Sequence, residues 1–282
     1  MSTPIVGCIL TLDEERTIAR AVSSLARVAD RIVVVDSGST DGTTRLAREL
    51  GAIVLEHPFT TYAEQRNWAL EQIVERFGQV YVFTLDADEW LSDGLVAELD
   101  ALRDRIDAHD LYLIPLRRRF DGRILRFGGF GRTWLVRLHR AGTARFEGRE
   151  VNEHLAVPAG TSTGRLTGWL EHDDVASWED YIDKHNRYST LEARARVEQR
   201  RRGEPAITVR TVLRDPTMRR RFLRQRIWDR LPARPALRFV QVYVAFGGFL
   251  DGRPGFRRAL FEAWQEMCID LKAERLERGA LP

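Results

Sequence analysis

The chain has 282 residues, 44% hydrophobic and 30% charged, with a net charge of +3, enough for one sizeable core and an appendage, hence one or two domains. Cys8 and Cys268 lie too far apart in sequence to form a disulfide framework. No apolar run reaches the roughly 20 residues that cross a bilayer, the longest candidate being Phe239 to Leu250 with Gln241 inside it.

In chain order, Pro4 to Leu10 has no basic stretch before it and no small-residue cleavage site, so it reads as a first strand, not a signal peptide, and a cytosolic protein is expected. Short β-branched runs predict strands over Ile5 to Leu10, Arg31 to Asp36, Ala52 to Leu55, Val80 to Leu85 and Leu111 to Pro115. Between them, Glu14 to Arg27, Thr43 to Leu50, Tyr62 to Arg76 and Asp93 to Arg105 space their apolar residues as helices do. This alternation predicts an α/β fold, a mostly parallel, doubly wound sheet with helices on both faces. From Arg117 to about Glu171 the texture turns to hairpins and loops, including the glycine-rich Phe127 to Gly131. After Ser177 helices are expected near Trp178 to Arg202, Pro216 to Leu231, Pro235 to Phe246 and Gly255 to Leu276. The expected division is 1–175 (with halves 1–116 and 117–175) followed by a helical region, 176–282.

Charge is unevenly spread. Arg187 to Arg238 holds sixteen arginines against five acids, a net of +11, which leaves the rest of the chain at −8. This stretch is a candidate surface for an anionic partner. Within it, Met218 to Trp228 mixes arginines with Phe222, Leu223, Ile227 and Trp228, a composition suited to lying in a lipid headgroup layer or to packing on the catalytic domain.

Ligands of open α/β sheets bind beyond the carboxyl ends of the strands. Three of those ends are acidic: Asp13-Glu14 after the first strand, Asp36 to Gly42 at the second, and Asp86-Ala87-Asp88-Glu89 after the fourth. A glycine-rich phosphate loop would need glycines after the first strand, and none are there. Two carboxylates at i and i+2 past a strand instead suit one hard cation, Mg²⁺ or Mn²⁺, shared with substrate phosphate oxygens, where it neutralises charge on a departing diphosphate. Asp36 can accept from a nucleobase N–H or cap the following turn. Arg66 reads equally as a site residue or a surface charge, and His172 as a metal or phosphate contact or a loop histidine.

Together, Thr11-Leu12-Asp13-Glu14, Val35 to Thr43, Gln65-Arg66-Asn67 and Leu85 to Glu89 resemble the family 2 glycosyltransferases of the GT-A fold. With Gly148 to His154, Lys184 to Tyr188 and Gly248 to Gly255, the chain is similar to the branch of bacterial lipopolysaccharide core glucosyltransferases. Asp13 stands where that family commonly has Asn, and Asn152 where it has His. The resemblance implies inverting transfer of a hexose, glucose first, from a UDP-sugar to a cell-envelope glycan or glycolipid. It implies a nucleotide site of Thr11, Asp13, Glu14, Asp36, Ser39, Arg66, Asp86 and Ala87, and a metal held by Asp86 and Asp88, with His172 as a further candidate ligand. Glu153 would be the base, since inverting displacement needs a proton acceptor opposite the leaving group; Glu150 and His154 are its rivals. Glu89 and Lys184 are secondary candidates for metal, acceptor or phosphate contacts. A peripheral position on the inner leaflet would follow from a lipid-borne acceptor. The competing readings are a polyprenyl-phosphate sugar transferase, a nucleotide binder without activity, and a nucleic-acid-binding module, which would leave the three acidic strand ends without a purpose.

Overall fold

The computed structural model describes residues 3–129, 131, 133–143, 145–146, 155–173, 177–202, 231 and 233–279. The chain divides into two compact units, one of residues 1–124 and 132–176, the other of 125–131 and 177–282.

In the first unit the strands alternate with helices as the hydrophobic pattern requires. The order is β1 (Ile5–Thr11), α1 (Ile18–Leu25), β2 (Arg31–Asp36), α2 (Thr43–Glu49), β3 (Ile53–Glu56), α3 (Tyr62–Phe77), β4 (Tyr81–Asp86), β5 (Glu89–Leu91) and α4 (Asp93–Leu102). A 3₁₀ turn, Arg103–Ala108, follows α4. Then come β6 (Leu111–Phe120), β7 (Arg123–Ile124), β8 (Thr133–Arg140), β9 (Arg145–Phe146), β10 (Leu155–Ala156), β11 (Thr163–Arg165) and β12 (Leu170–Asp173). Among the described residues the main sheet runs β3-β2-β1-β4-β8-β6-β12-β5, with β7 and β11 also on β6. Its β3-β2-β1-β4 half is parallel, β8 runs antiparallel between β4 and β6, and β12 lies parallel to β6 but antiparallel to β5.

Side chains alternate across these strands. Ile5, Ile9 and Val34 face α1 and α4 in one core; Val6, Cys8, Val33 and Val35 face Ala69, Leu70 and Ile73 of α3 in the other. The sheet is therefore covered on both faces, and each fully buried large side chain such as Phe83 or Leu85 contributes about 1.5–3 kcal/mol. Two helix starts are set by capping. Thr61 Oγ1 accepts from Glu64 N–H at 3.2 Å at the head of α3, and Ser92 Oγ accepts from Leu95 N–H at 3.3 Å at the head of α4. Some boundaries differ from the periodicity: α1 begins at Ile18 and not Glu14, where Glu14 to Thr17 form a turn whose Glu14 and Glu15 N–H groups donate to Thr43 and Asp41, and α4 tightens into the 3₁₀ turn after Leu102.

The second unit is helical: α5 (Trp178–Arg202), α6 (Arg234–Val240), a π turn (Gln241–Ala245), a 3₁₀ turn (Gly248–Asp251) and α7 (Gly252–Glu277). α5 and α7 pack through Ala193, Val197, Ile269 and Ala273. Buried Arg196 reaches Glu266 at 3.1 Å and Asp270 at 2.8 Å, and Arg258 reaches Glu262 at 2.7 Å. The helix expected over Pro216 to Leu231 lies almost wholly outside the described residues. No described helix is long and apolar enough to cross a membrane.

Candidate active site

The carboxyl ends of β1, β2 and β4 lie side by side, since Thr11 pairs with Asp36 and Leu10 with Asp86 in register. The loops after β1 and β2 are laced together. Asp13, at φ +53° in the left-handed region that aspartate tolerates better than most residues, accepts from Thr40 N–H at 2.8 Å. Its own N–H donates to Ser39 Oγ at 2.9 Å, and Glu14 N–H donates to Thr43 Oγ1 at 2.8 Å. The Glu14 carboxylate accepts from Thr17 Oγ1 at 2.7 Å. Asp36 is buried and accepts from Gly38 N–H at 3.0 Å, Ser39 N–H at 2.9 Å and the Ser39 hydroxyl. It therefore fills the turn-capping role. Each carboxylate oxygen has more than one acceptor direction, so a further donor remains admissible. Thr11 and Ala87 are buried at the strand ends.

At the end of β4, Asp86 is held from two sides. Arg66 of α3 donates Nη2–H to its Oδ1 at 2.8 Å, and Arg137 of β8 donates Nη2–H to its Oδ2 at 2.7 Å. Burial works to raise the Asp86 carboxyl, but the Arg137 and Arg66 guanidiniums overcome it and hold the group well below the usual carboxylate range. Arg137 also donates to Glu89 Oε1 at 2.6 Å, while Glu89 Oε2 accepts from Asp86 N–H at 3.1 Å. Burial pushes the Glu89 carboxyl up against the pull of Arg137. Arg137 and Glu89 thus form the buried floor of the site; Arg137 is not among the expected site residues, and its one signal in the sequence is a charge set between the apolar Val136 and Leu138.

Asp88 turns elsewhere. β5 pairs antiparallel with β12 so that Glu89 stands opposite His172, and His172 Nδ1 lies 3.3 Å from Asp88 Oδ1. Two ligand atoms on adjacent positions of an octahedral Mg²⁺-type ion with bonds of about 2.1 Å are separated by roughly 3 Å, so a carboxylate oxygen and an imidazole nitrogen at this spacing fit a shared divalent cation. Among the described residues no group of three His, Cys, Asp or Glu side chains is placed to hold a metal, and both Asp86 oxygens face arginines. Beside Asp88, Arg20 lies over Trp90 at 3.6 Å and interacts electrostatically with Asp173 and Asp88. A groove of about 480 Å³ opens there, lined by Arg20, Trp90, Ser92, Arg117 and Glu171 among others.

Around Arg66, Gln65 donates to Ser37 Oγ at 3.1 Å and meets His57 Nδ1 at 2.7 Å, tying α3 to the loop after β2. Asn67 holds Phe146 by two bonds, Nδ2–H to its carbonyl and its N–H to Oδ1, each 2.9 Å. The Phe146 ring faces the Arg66 guanidinium at 5.2 Å. Phe146 is also the register partner of Leu155. Between these partners lies 147–154, so Glu150, Asn152, Glu153 and His154 fall outside the described residues. Lys184 lies on α5, in the second unit, and so does the glycine-rich Phe127 to Gly131, whose Phe127 N–H donates to Asp251 at 2.9 Å and Gly128 N–H to the Phe246 carbonyl at 2.9 Å.

Residues 8–167 match the model of glycosyl transferase family 2. Over 219 residues the chain is 34% identical to the lipopolysaccharide core biosynthesis glycosyltransferase LpsC of Rhizobium meliloti (strain 1021), covering 71% of this chain and 74% of that one. It is 31% identical over 204 residues to the glycosyltransferase RT0209 of Rickettsia typhi (strain ATCC VR-144 / Wilmington), covering 68% and 67% of the two chains. The solved structure of S. aureus TarS 1–349 aligns across 98% of this chain and 92% of that one, but at 15% identity and a TM-score of 0.47, too loosely to bear on chemistry. The sequence match, joined to a mostly parallel sheet with acidic strand ends, gives the fold its class, α/β of the GT-A type, and its lineage: this chain is a member of glycosyl transferase family 2.

Proposed function

We propose that this transferase moves a hexose, glucose first, from a UDP-sugar to a hydroxyl of a cell-envelope glycolipid such as lipopolysaccharide core, with inversion at the anomeric carbon. The observation that carries the reading is the division of labour at the end of β4, where Asp86 is clamped by Arg66 and Arg137 while Asp88 meets His172 at 3.3 Å. Asp88 and His172 would hold Mg²⁺ or Mn²⁺, which when bound would neutralise charge on the leaving diphosphate. Asp86, fixed by its arginines, would orient the nucleotide, and Asp36, Glu14, Asp13, Thr11, Ser39 and Ala87 would line its nucleoside end. Arg66 would bring a cation to the donor's anionic side.

Glu153 is the proposed general base. Its support is positional: the ends of its segment, Phe146 and Leu155, are register partners, and Phe146 packs on Arg66 beside Asp86. The acceptor is proposed to enter by the groove of Arg20, Trp90 and Arg117 next to Asp88. The glycolipid acceptor rests on the likeness to LpsC, and would place the enzyme at the cytoplasmic face of the inner membrane.

A thermal-shift panel of nucleoside-diphosphate sugars with and without Mn²⁺ tests the donor reading. A UDP-hexose should stabilise the protein, more so with Mn²⁺; no stabilisation by any sugar nucleotide in either condition would overturn it. Glu153→Gln should abolish transfer and keep that stabilisation, and near-normal turnover would remove Glu153 from the role.

A further inference from the structure

The second unit displays several large apolar side chains to solvent. In the turns between α6 and α7, Val244, Phe246, Phe249 and Leu250 are 47% to 59% exposed, and Phe127 beside them is 41% exposed. Three of them gather around two glycines: a Cβ placed on Gly247 would lie 3.4 Å from Leu250 Cδ1 and 3.8 Å from Phe127 Cδ1, and one on Gly129 would lie 2.9 Å from the Phe246 ring. The patch is built rigidly. Gly247 and Gly129 adopt left-handed φ of +70° and +84°, which other residues resist, and the Phe246 carbonyl accepts from Gly128 N–H at 2.9 Å.

The acids of the turns and of the middle of α7 are engaged within the unit. Asp251, the acid within these turns, spends its carboxylate on the N–H groups of Arg126 and Phe127 at 2.9–3.1 Å. On α7, Glu262 is taken by Arg238 and Arg258, and Asp270 by Arg196 and Arg234. Arg126, Arg253 and Arg257 are exposed. An exposed apolar tip with the exposed arginines Arg126, Arg253 and Arg257 on its own segments has the composition of a surface that enters the acyl boundary of a bilayer while its cations meet lipid phosphates.

We propose that this tip docks the protein on an anionic lipid surface, with Phe246, Phe249 and Leu250 entering the interface. The residues of the tip are not those of the arginine-rich sequence 218–228, and the inference does not depend on the donor-site reading. If the acceptor is lipid-borne, docking one unit keeps the other, joined to it by the chain, at a high effective concentration of substrate.

The test uses the full chain and extruded vesicles. Wild type should bind vesicles of phosphatidylglycerol and phosphatidylcholine, bind phosphatidylcholine alone more weakly, and lose affinity as salt rises. Phe249→Ser with Leu250→Ser should lower vesicle affinity by about tenfold or more while leaving the melting temperature unchanged, because both side chains are already exposed. A polarity-sensitive dye on Leu250→Cys, in a Cys268→Ser background, should brighten on vesicle addition. Sugar-nucleotide stabilisation, read on the same variants, should not change, which separates failure here from failure of the donor site. The proposal is overturned if the wild type ignores anionic vesicles, if it binds them while the dye at position 250 stays unchanged, or if gel filtration shows a dimer that the double variant disperses, which would give the patch to a second copy of the chain.

Discussion

Arg137 reaches Asp86 across 51 residues of sequence through a single nitrogen, Nη2, 2.7 Å from Oδ2, and the same nitrogen lies 2.6 Å from Glu89. One guanidinium therefore pairs with two carboxylates, of which Asp86 also meets Arg66 and Glu89 is buried. Arg137→Met should cost about 3–5 kcal/mol in urea unfolding, the range for removing one partner of a buried ion pair. Adding Glu89→Gln should recover part of that loss, because the charge left behind is then gone. Equal midpoints for wild type and Arg137→Met would show that the clamp is not structural.

Acid should destabilise the first unit in two windows. Burial lowers the His139 imidazole below its ordinary value of 6.5, its hydrogen bond to the Arg140 carbonyl notwithstanding. The unfolded chain then binds a proton that the folded one refuses, so stability is full above about pH 6.5 and falls as pH drops toward the folded value. Asp86 is depressed by its arginines, so its contribution persists above the ordinary carboxylate range and is lost at still lower pH. Denaturant midpoints measured from pH 8 to pH 2 should fall, and His139→Gln, which cannot titrate, should flatten the upper part of the decline.

Loss of either proposed metal ligand should weaken Mn²⁺ binding. Asp88→Asn and His172→Ala are each expected to reduce affinity by about 10–100-fold, the loss that disturbing a metal's supporting partners alone can produce. Titration followed by Mn²⁺ electron paramagnetic resonance reads this without any turnover. Unaltered affinity in both variants would move the metal away from this pair.

Asn67 gives a test of the Glu153 segment through its anchor. Asn67→Ala removes both bonds to Phe146 and should lower kcat by about tenfold, as displacement of the proposed base Glu153 would, with donor affinity kept. A loss of donor affinity and no change in kcat would instead assign Asn67 to the nucleotide side.

Much of this was legible in the chain because it is local. The strand Val80 to Leu85 and the acids that follow it declare a parallel strand with a charged carboxyl end, and the observed β4 ends at Asp86. What stayed hidden is long-range. A strand over Thr133–Arg140 fixes which side chains share a face, but the antiparallel pairing of Phe83 with Leu138, which brings Arg137 to Asp86, is decided by the whole sheet. The same holds for β5, three residues long, whose reason to be a strand is its partner β12 some eighty positions later. Periodicity also carried the helical reading through Phe246, whereas the chain there leaves α6 for π and 3₁₀ turns around Gly247 and Gly252, both with left-handed φ.

β12 itself carries a consequence for any attempt to isolate the catalytic part. The family match stops at residue 167, three positions before β12 begins at Leu170. Yet this strand is wedged between β6 and β5 and bears both His172 and the buried Glu171 that binds Arg117 and Arg119. A fragment cut at the family boundary would keep the whole acidic motif and expose two raw sheet edges, with paired arginines deprived of their counter-ion. The smallest autonomous piece of this enzyme is thus longer than its family signature, and aggregation of the shorter fragment is the expected result.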